Sequence, residues 1–269
     1  MLSATLVAGL LALGAIGGFL AGLLGIGGGM ILVPFIVLLL ERQGFPPELL
    51  VKIAVATSLA TILFTSLSSV RAHHARGAVR WKVAAAFAPG IVLGSLLGAQ
   101  LAGAMPAAVL TLLFAGFVGY SATQMLIDRK PRPGRQLPGH AGLAGMGGVI
   151  GVVASLVGAG GAFMSVPFMT WCNVPIHQAV GTAAALGFPI ALAGTAGYMI
   201  AGSHLEGLPP GLLGYVYLPA LAALAAASIL TAPLGARVSH ALNVAQLKRA
   251  FALLLYGIAA WMLWRAIRA

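Results

Sequence analysis

Three consecutive glycines, Gly27, Gly28 and Gly29, interrupt an apolar stretch and are followed by Val33-Pro34-Phe35. Backbone without side chains leaves its N–H groups uncovered, and within a bilayer such backbone is tolerated only against protein or beside a water-filled cavity. The segment that follows starts a helix whose first amides have no internal acceptor and whose dipole is positive at that end, a seat for an anion. The pattern returns 133 residues later as Gly158-Ala159-Gly160-Gly161-Ala162, then Val166-Pro167-Phe168. Gly27, Gly28, Gly29, Gly160, Gly161 and Ala162 are therefore candidate substrate-binding positions. Close packing by small residues is the competing explanation, and it suits Gly14, Gly18, Gly22, Gly94 and Gly98 better. Three glycines in a row cost more helix stability than packing alone requires.

Hydroxyls supply the second candidate set. Thr57, Ser58 and Thr61 share one apolar segment, and Ala54-Val55-Ala56-Thr57 reappears as Ala179-Val180-Gly181-Thr182. Thr57, Ser58 and Thr182 are placed beside the glycines as donors to an oxyanion. The alternative is that each bonds a carbonyl one turn back in its own helix.

Other chemistries lack their parts. The acidic residues are Glu41, Glu48, Asp128 and Glu206, none inside an apolar stretch, so no intramembrane carboxylate relay is expected. A weak-acid substrate would bring its own proton, which makes H+ the candidate coupling ion. One cysteine, Cys172, with scattered histidines offers neither an intramolecular disulfide nor a metal site, and no cofactor is expected. His73 and His74 lie among Arg71 and Arg76 and are read as anchors at the membrane face. An intramembrane serine hydrolase needs a nucleophile beside a base, whereas the loop positions are Ile26 and Ala159, so the chain is not expected to be an enzyme. A scaffold subunit that transports nothing stays open.

The elements that must position these residues follow from composition. Hydrophobic residues make up 60% of the chain and charged residues 7%, against about 45–50% and about 25% in soluble domains. Ten apolar segments run roughly 3–24, 30–40, 50–70, 83–103, 106–127, 141–158, 162–172, 178–201, 212–234 and 248–264. Eight approach the roughly 20 residues that cross a bilayer; 30–40 and 162–172 are too short. The expected fold is an all-α polytopic membrane protein without a soluble domain. The net charge of +11 resides in short loops, which favours the positive-inside rule over nucleic-acid binding. Abundant Gly and Ala make a homo-oligomer a candidate.

The polar run 128–140 divides the chain into 1–127 and 141–269, two repeats of about five segments each, the second of each short or broken. The loop after the third segment carries Arg71, Arg76, Arg80 and Lys82, while its equivalent, 202–211, carries only Glu206. Between the fourth and fifth segments the bias reverses: 103–106 is uncharged, and the counterpart has Arg237, Lys248 and Arg249. Basic loops facing the cytoplasm would set the two repeats in opposite senses, with both termini outside, the 128–140 linker inside, and Arg265 and Arg268 the exception.

Gly22 to Pro34, Gly158 to Pro167, Ala54 to Ser58, His74 to Val79 and Gly235-Ala236-Arg237 resemble the TauE/SafE family of sulfite and organosulfur-anion exporters, from about Leu6 to Leu263. The resemblance implies a multi-pass permease of the bacterial inner membrane that moves small sulfur-containing anions, usually outward. Ala162 in place of a third glycine, and Ala183 opposite Ser58, are departures that make the two halves unequal.

Overall fold

The structure, a computed structural model, describes residues 4–24, 29–127, 134–205, 210–238 and 244–268. Within them the helices are α1 (Ala4–Leu24), α2 (Gly29–Glu41), α3 (Pro47–Ala75), α4 (Trp81–Ala104), α5 (Ala107–Ile127), α6 (His140–Val157), α7 (Ala162–Trp171), α8 (Ile176–Ala201), α9 (Leu218–Val238) and α10 (Val244–Arg268). Two short strands, β1 (Leu212–Leu213) and β2 (Val216–Tyr217), form a hairpin ahead of α9. Six of the helices are long and apolar enough to cross a membrane, and the all-α polytopic class is as the composition requires. The two segments too short to span are α2, with 13 residues, and α7, with 10.

Both short helices fold back along the helix before them. Gly9 and Gly17 of α1 face Leu39 and Leu32 of α2, so the two run antiparallel. The carbonyl of Trp171, at the end of α7, accepts the N–H groups of Gly134 (3.2 Å) and Arg135 (3.4 Å), just ahead of α6. Each short helix thus returns the chain toward the side from which its predecessor set out, and the two helical hairpins carry their tips into the bundle.

Glycines determine which helices come together. On α4, Gly90, Gly94 and Gly98 lie against the backbone of Ala144, Gly148 and Val152 on α6; a Cβ at Gly90 would stand 1.7 Å from the Ala144 oxygen. Positions advance together, so α4 and α6 are parallel. Gly14 and Gly18 of α1 meet Leu224 and Ser228 of α9 in the same manner, and the Ser228 hydroxyl donates to the Gly14 carbonyl at 2.9 Å. This is the close backbone approach that replaces the hydrophobic drive missing in lipid, and it is the packing role expected of Gly14, Gly18, Gly94 and Gly98. Between α3 and α8 the order reverses, with Ser66 beside Gly187 and Leu59 beside Gly194, so these two are antiparallel.

Polar groups inside the bundle are sparse: apart from tyrosines, the buried polar side chains among the described residues are Ser and Thr. Large aliphatic residues such as Leu93, Leu97, Leu230 and Leu253 point outward, as a lipid-facing surface demands. Arg265 near the end of α10 forms an ion pair with Glu41 at the end of α2, so one of the two basic residues at odds with the charge rule is neutralised by a carboxylate on its own side.

Candidate functional site

Gly29 of the first glycine cluster meets Gly158 of the second. Gly158 closes α6 in the left-handed conformation (φ 71°), where an L side chain is strained, and its N–H bonds the Ala154 carbonyl. A Cβ on Gly29, the first residue of α2, would lie 2.1 Å from the Gly158 oxygen, so the two backbones touch. Ser58 of α3 sits across the junction, donating to the Gly158 carbonyl at 3.0 Å and lying 3.4 Å from that of Gly29. Its hydroxyl joins the tips of the two hairpins. Gly27 and Gly28 lie outside the described residues.

On the α7 side the turn leaves amides without acceptors. Gly161 is also left-handed (φ 73°) and caps α7; its carbonyl takes the N–H groups of Met164 (3.1 Å) and Ser165 (3.0 Å). No described residue accepts the amides of Gly160, Gly161, Ala162 or Phe163. Consecutive amides at a left-handed turn leading into a helix form a concavity of partial positive charge that suits an anion. In the first turn of α7, Ser165 is fully buried and its hydroxyl has no partner. Buried polar atoms almost always find a partner, so this cluster calls for one. Packing is served too: a Cβ on Gly161 would collide with Ile190 at 2.5 Å and Ile150 at 2.9 Å. Glycine is needed at 161 for both the turn and the close fit.

Thr57 and Thr182 are fully buried and do not come together. The Thr57 hydroxyl accepts the N–H of Tyr217 (3.1 Å), at the entrance to α9; the Thr182 hydroxyl accepts the N–H of Arg80 (3.0 Å), at the entrance to α4. Leu59 is level with Gly194, more than three turns of α8 from Thr182, a separation of about 18 Å at 1.5 Å per residue. Thr57 thus secures the connection into α9, and Thr182 the connection into α4. The connections tuck inward to reach them: Ala78 packs on Gly181, and Tyr215, Val216 and Tyr217 are buried. The bond to the carbonyl one turn back is made by Thr61, to Thr57 at 2.9 Å.

Three polar groups escaped the reading of the sequence. The Ser155 hydroxyl, one turn before the α6 tip, is buried without a partner and faces Gly194 and Leu59. Tyr198 of α8 donates to the Ser155 carbonyl at 3.0 Å. Lys52, one turn into α3, donates to the Gly103 carbonyl at 2.7 Å. The only advance signal was a serine placed just ahead of a glycine break.

Helical hairpins whose glycine tips meet inside a membrane bundle, beside buried groups still lacking partners, define a multi-pass membrane transporter. The chain belongs to the family described as sulfite exporter TauE/SafE, which matches residues 10–262. It is 36% identical over 251 residues to a "Probable membrane transporter protein" of Haemophilus influenzae, covering 93% of this chain and 95% of that one. A protein of the same description from Methanocaldococcus jannaschii is 26% identical over 89% of this chain and 88% of its own. A third, YdhB of Bacillus subtilis, is 29% identical over 69% and 76%. No solved structure matches the chain. Family and relatives point to transport rather than enzymatic chemistry.

Proposed function

We propose that the protein is a permease for small sulfur-containing oxyanions of the sulfite or organosulfonate class, acting as an exporter of the bacterial inner membrane. The observation that carries this is the run of unpartnered amides from Gly160 to Phe163 beside the unpartnered hydroxyl of Ser165. Such a cradle takes a compact anion through hydrogen bonds and needs no buried cation. An oxyanion has several acceptor oxygens to offer and fits it better than a halide.

Residues 1–127 and 141–269 act as inverted halves. Supporting this, α3 and α8 run antiparallel, and the first helix of each half packs in parallel on the fourth of the other. The contact of Gly29 with Gly158 belongs to an occluded conformation. Access alternates as one helical hairpin withdraws from the other, with the 128–140 linker on the cytoplasmic side, both termini outside, and H+ travelling with a weak-acid substrate.

An anion-competition flux assay in proteoliposomes tests the reading. Sulfite and a small sulfonate should compete for the same uptake, sulfate and thiosulfate should rank against them, and the rate should rise toward lower external pH if the protonated acid is the species moved. Flux insensitive to all four anions would remove the proposal.

A further inference from the structure

On the outside of the bundle, α5, α6 and α7 enclose an open groove of about 640 Å³ lined by aromatic and aliphatic side chains, among them Phe117, Tyr120, Phe163, Phe168 and Trp171. That is a volume in which ligands are ordinarily held. Its wall follows α7 from Phe163, next to the hairpin tip, to Trp171 at the linker, a run of about 12 Å at 1.5 Å per residue. At the linker end the Arg135 guanidinium stacks over the Trp171 ring, 4.8 Å from its centre. The groove is therefore apolar along its length and cationic at its mouth.

We propose that this groove holds an acyl chain of an anionic phospholipid, with Arg135 on the headgroup phosphate. A groove open to the hydrocarbon region is filled from the bilayer, and the lining offers a soluble anion nothing to bind. The charge at the mouth selects the headgroup: basic residues beside a membrane helix attract anionic lipid, each with about 1 kcal/mol, and tryptophan favours the same interfacial depth. The wall formed by α7 also carries the unpartnered amides at its inner end, so a lipid seated here braces the short helix that must move.

Native mass spectrometry of the purified, delipidated protein, offered phosphatidylglycerol or phosphatidylcholine, tests this. The expected result is preferential retention of phosphatidylglycerol, undisturbed by millimolar inorganic phosphate. Arg135→Gln should reduce that preference about fivefold, the weight of one basic residue at an anionic surface. Val153→Trp, which fills the groove, should abolish retention of both lipids without changing helix content; Met146→Trp gives the same reading from a neighbouring position should the first variant fail to fold. Equal retention of both lipids, an unchanged preference in Arg135→Gln, retention by the filled groove, displacement by inorganic phosphate, or Tyr120→Cys cross-linking two copies over the groove would each overturn the proposal.

Discussion

The hydroxyl of Ser58 donates to the carbonyl of Gly158 at 3.0 Å, joining residues a hundred positions apart in the chain. The bond crosses from α3 to the tip of the α6–α7 hairpin, and the Gly29 carbonyl of the other hairpin lies 3.4 Å from the same oxygen. One side chain therefore ties both tips together.

Ser58→Ala leaves the buried Gly158 carbonyl short of its donor. The expected loss is about 1–3 kcal/mol of stability, read as earlier thermal unfolding in detergent. Because the bond must break for the tips to part, the same variant should also raise the reactivity of cysteines placed near them. Unchanged stability and unchanged reactivity together would show that Ser58 does not hold the junction.

Gly29→Ala and Gly116→Ala form a contrasting pair. The first places a methyl 2.1 Å from the Gly158 oxygen; the second, on α5, meets nothing within 4 Å. Gly29→Ala should destabilise by about 1–3 kcal/mol or more, as overpacking does, and lower flux. Gly116→Ala should be neutral or stabilising by about 0.5–1 kcal/mol, from the helix preference of alanine. Melting curves of both variants check the contrast.

Thr57→Val and Thr182→Val preserve shape and remove an acceptor. Each strands one amide, Tyr217 or Arg80 respectively, at a cost of about 1–3 kcal/mol. The two bonds lie at well-separated levels of the bundle, so the variants should open different faces. Cysteine accessibility at Tyr215 and at Ala78, probed from each side of sealed vesicles, should change in one variant and not the other. Identical changes in both would remove the idea of separate latches.

Ser165→Ala separates binding from folding. The hydroxyl is buried without a partner, so its loss leaves nothing newly unsatisfied and stability should hold or rise slightly. If the hydroxyl donates to the transported anion, half-saturation should shift upward about tenfold, the effect of about 1.4 kcal/mol in one charge-assisted bond. Wild-type flux and affinity would exclude Ser165 from the site.

Much of this was legible before any coordinate. Composition identified the membrane as solvent, length marked α2 and α7 as too short to cross, and the recurring Gly and Pro positions singled out both hairpin tips. Gly94 and Gly98, read as packing glycines, do pack backbone against backbone on α6. Thr57 and Thr182, placed beside the glycines as donors to an oxyanion, receive amides at two distant points. Ser155 had only its place ahead of a glycine break to mark it, and Tyr198 and the inward hairpin at Tyr215 to Tyr217 went unnoticed, since nothing local sets them apart from other apolar stretches.

What the sequence determined by itself is what depends on neighbours along the chain: hydropathy over twenty residues, helix breaks at glycine, and charge in short loops. What only the tertiary structure decided is which buried hydroxyl meets which backbone group. Ser58, Thr57 and Thr182 have similar surroundings in the chain and differ in partner, because helix direction and glycine-permitted approach bring distant carbonyls and amides within 3 Å or so of one and not another. In a bundle with so few polar side chains, those contacts separate the groups already paired from those still without a partner.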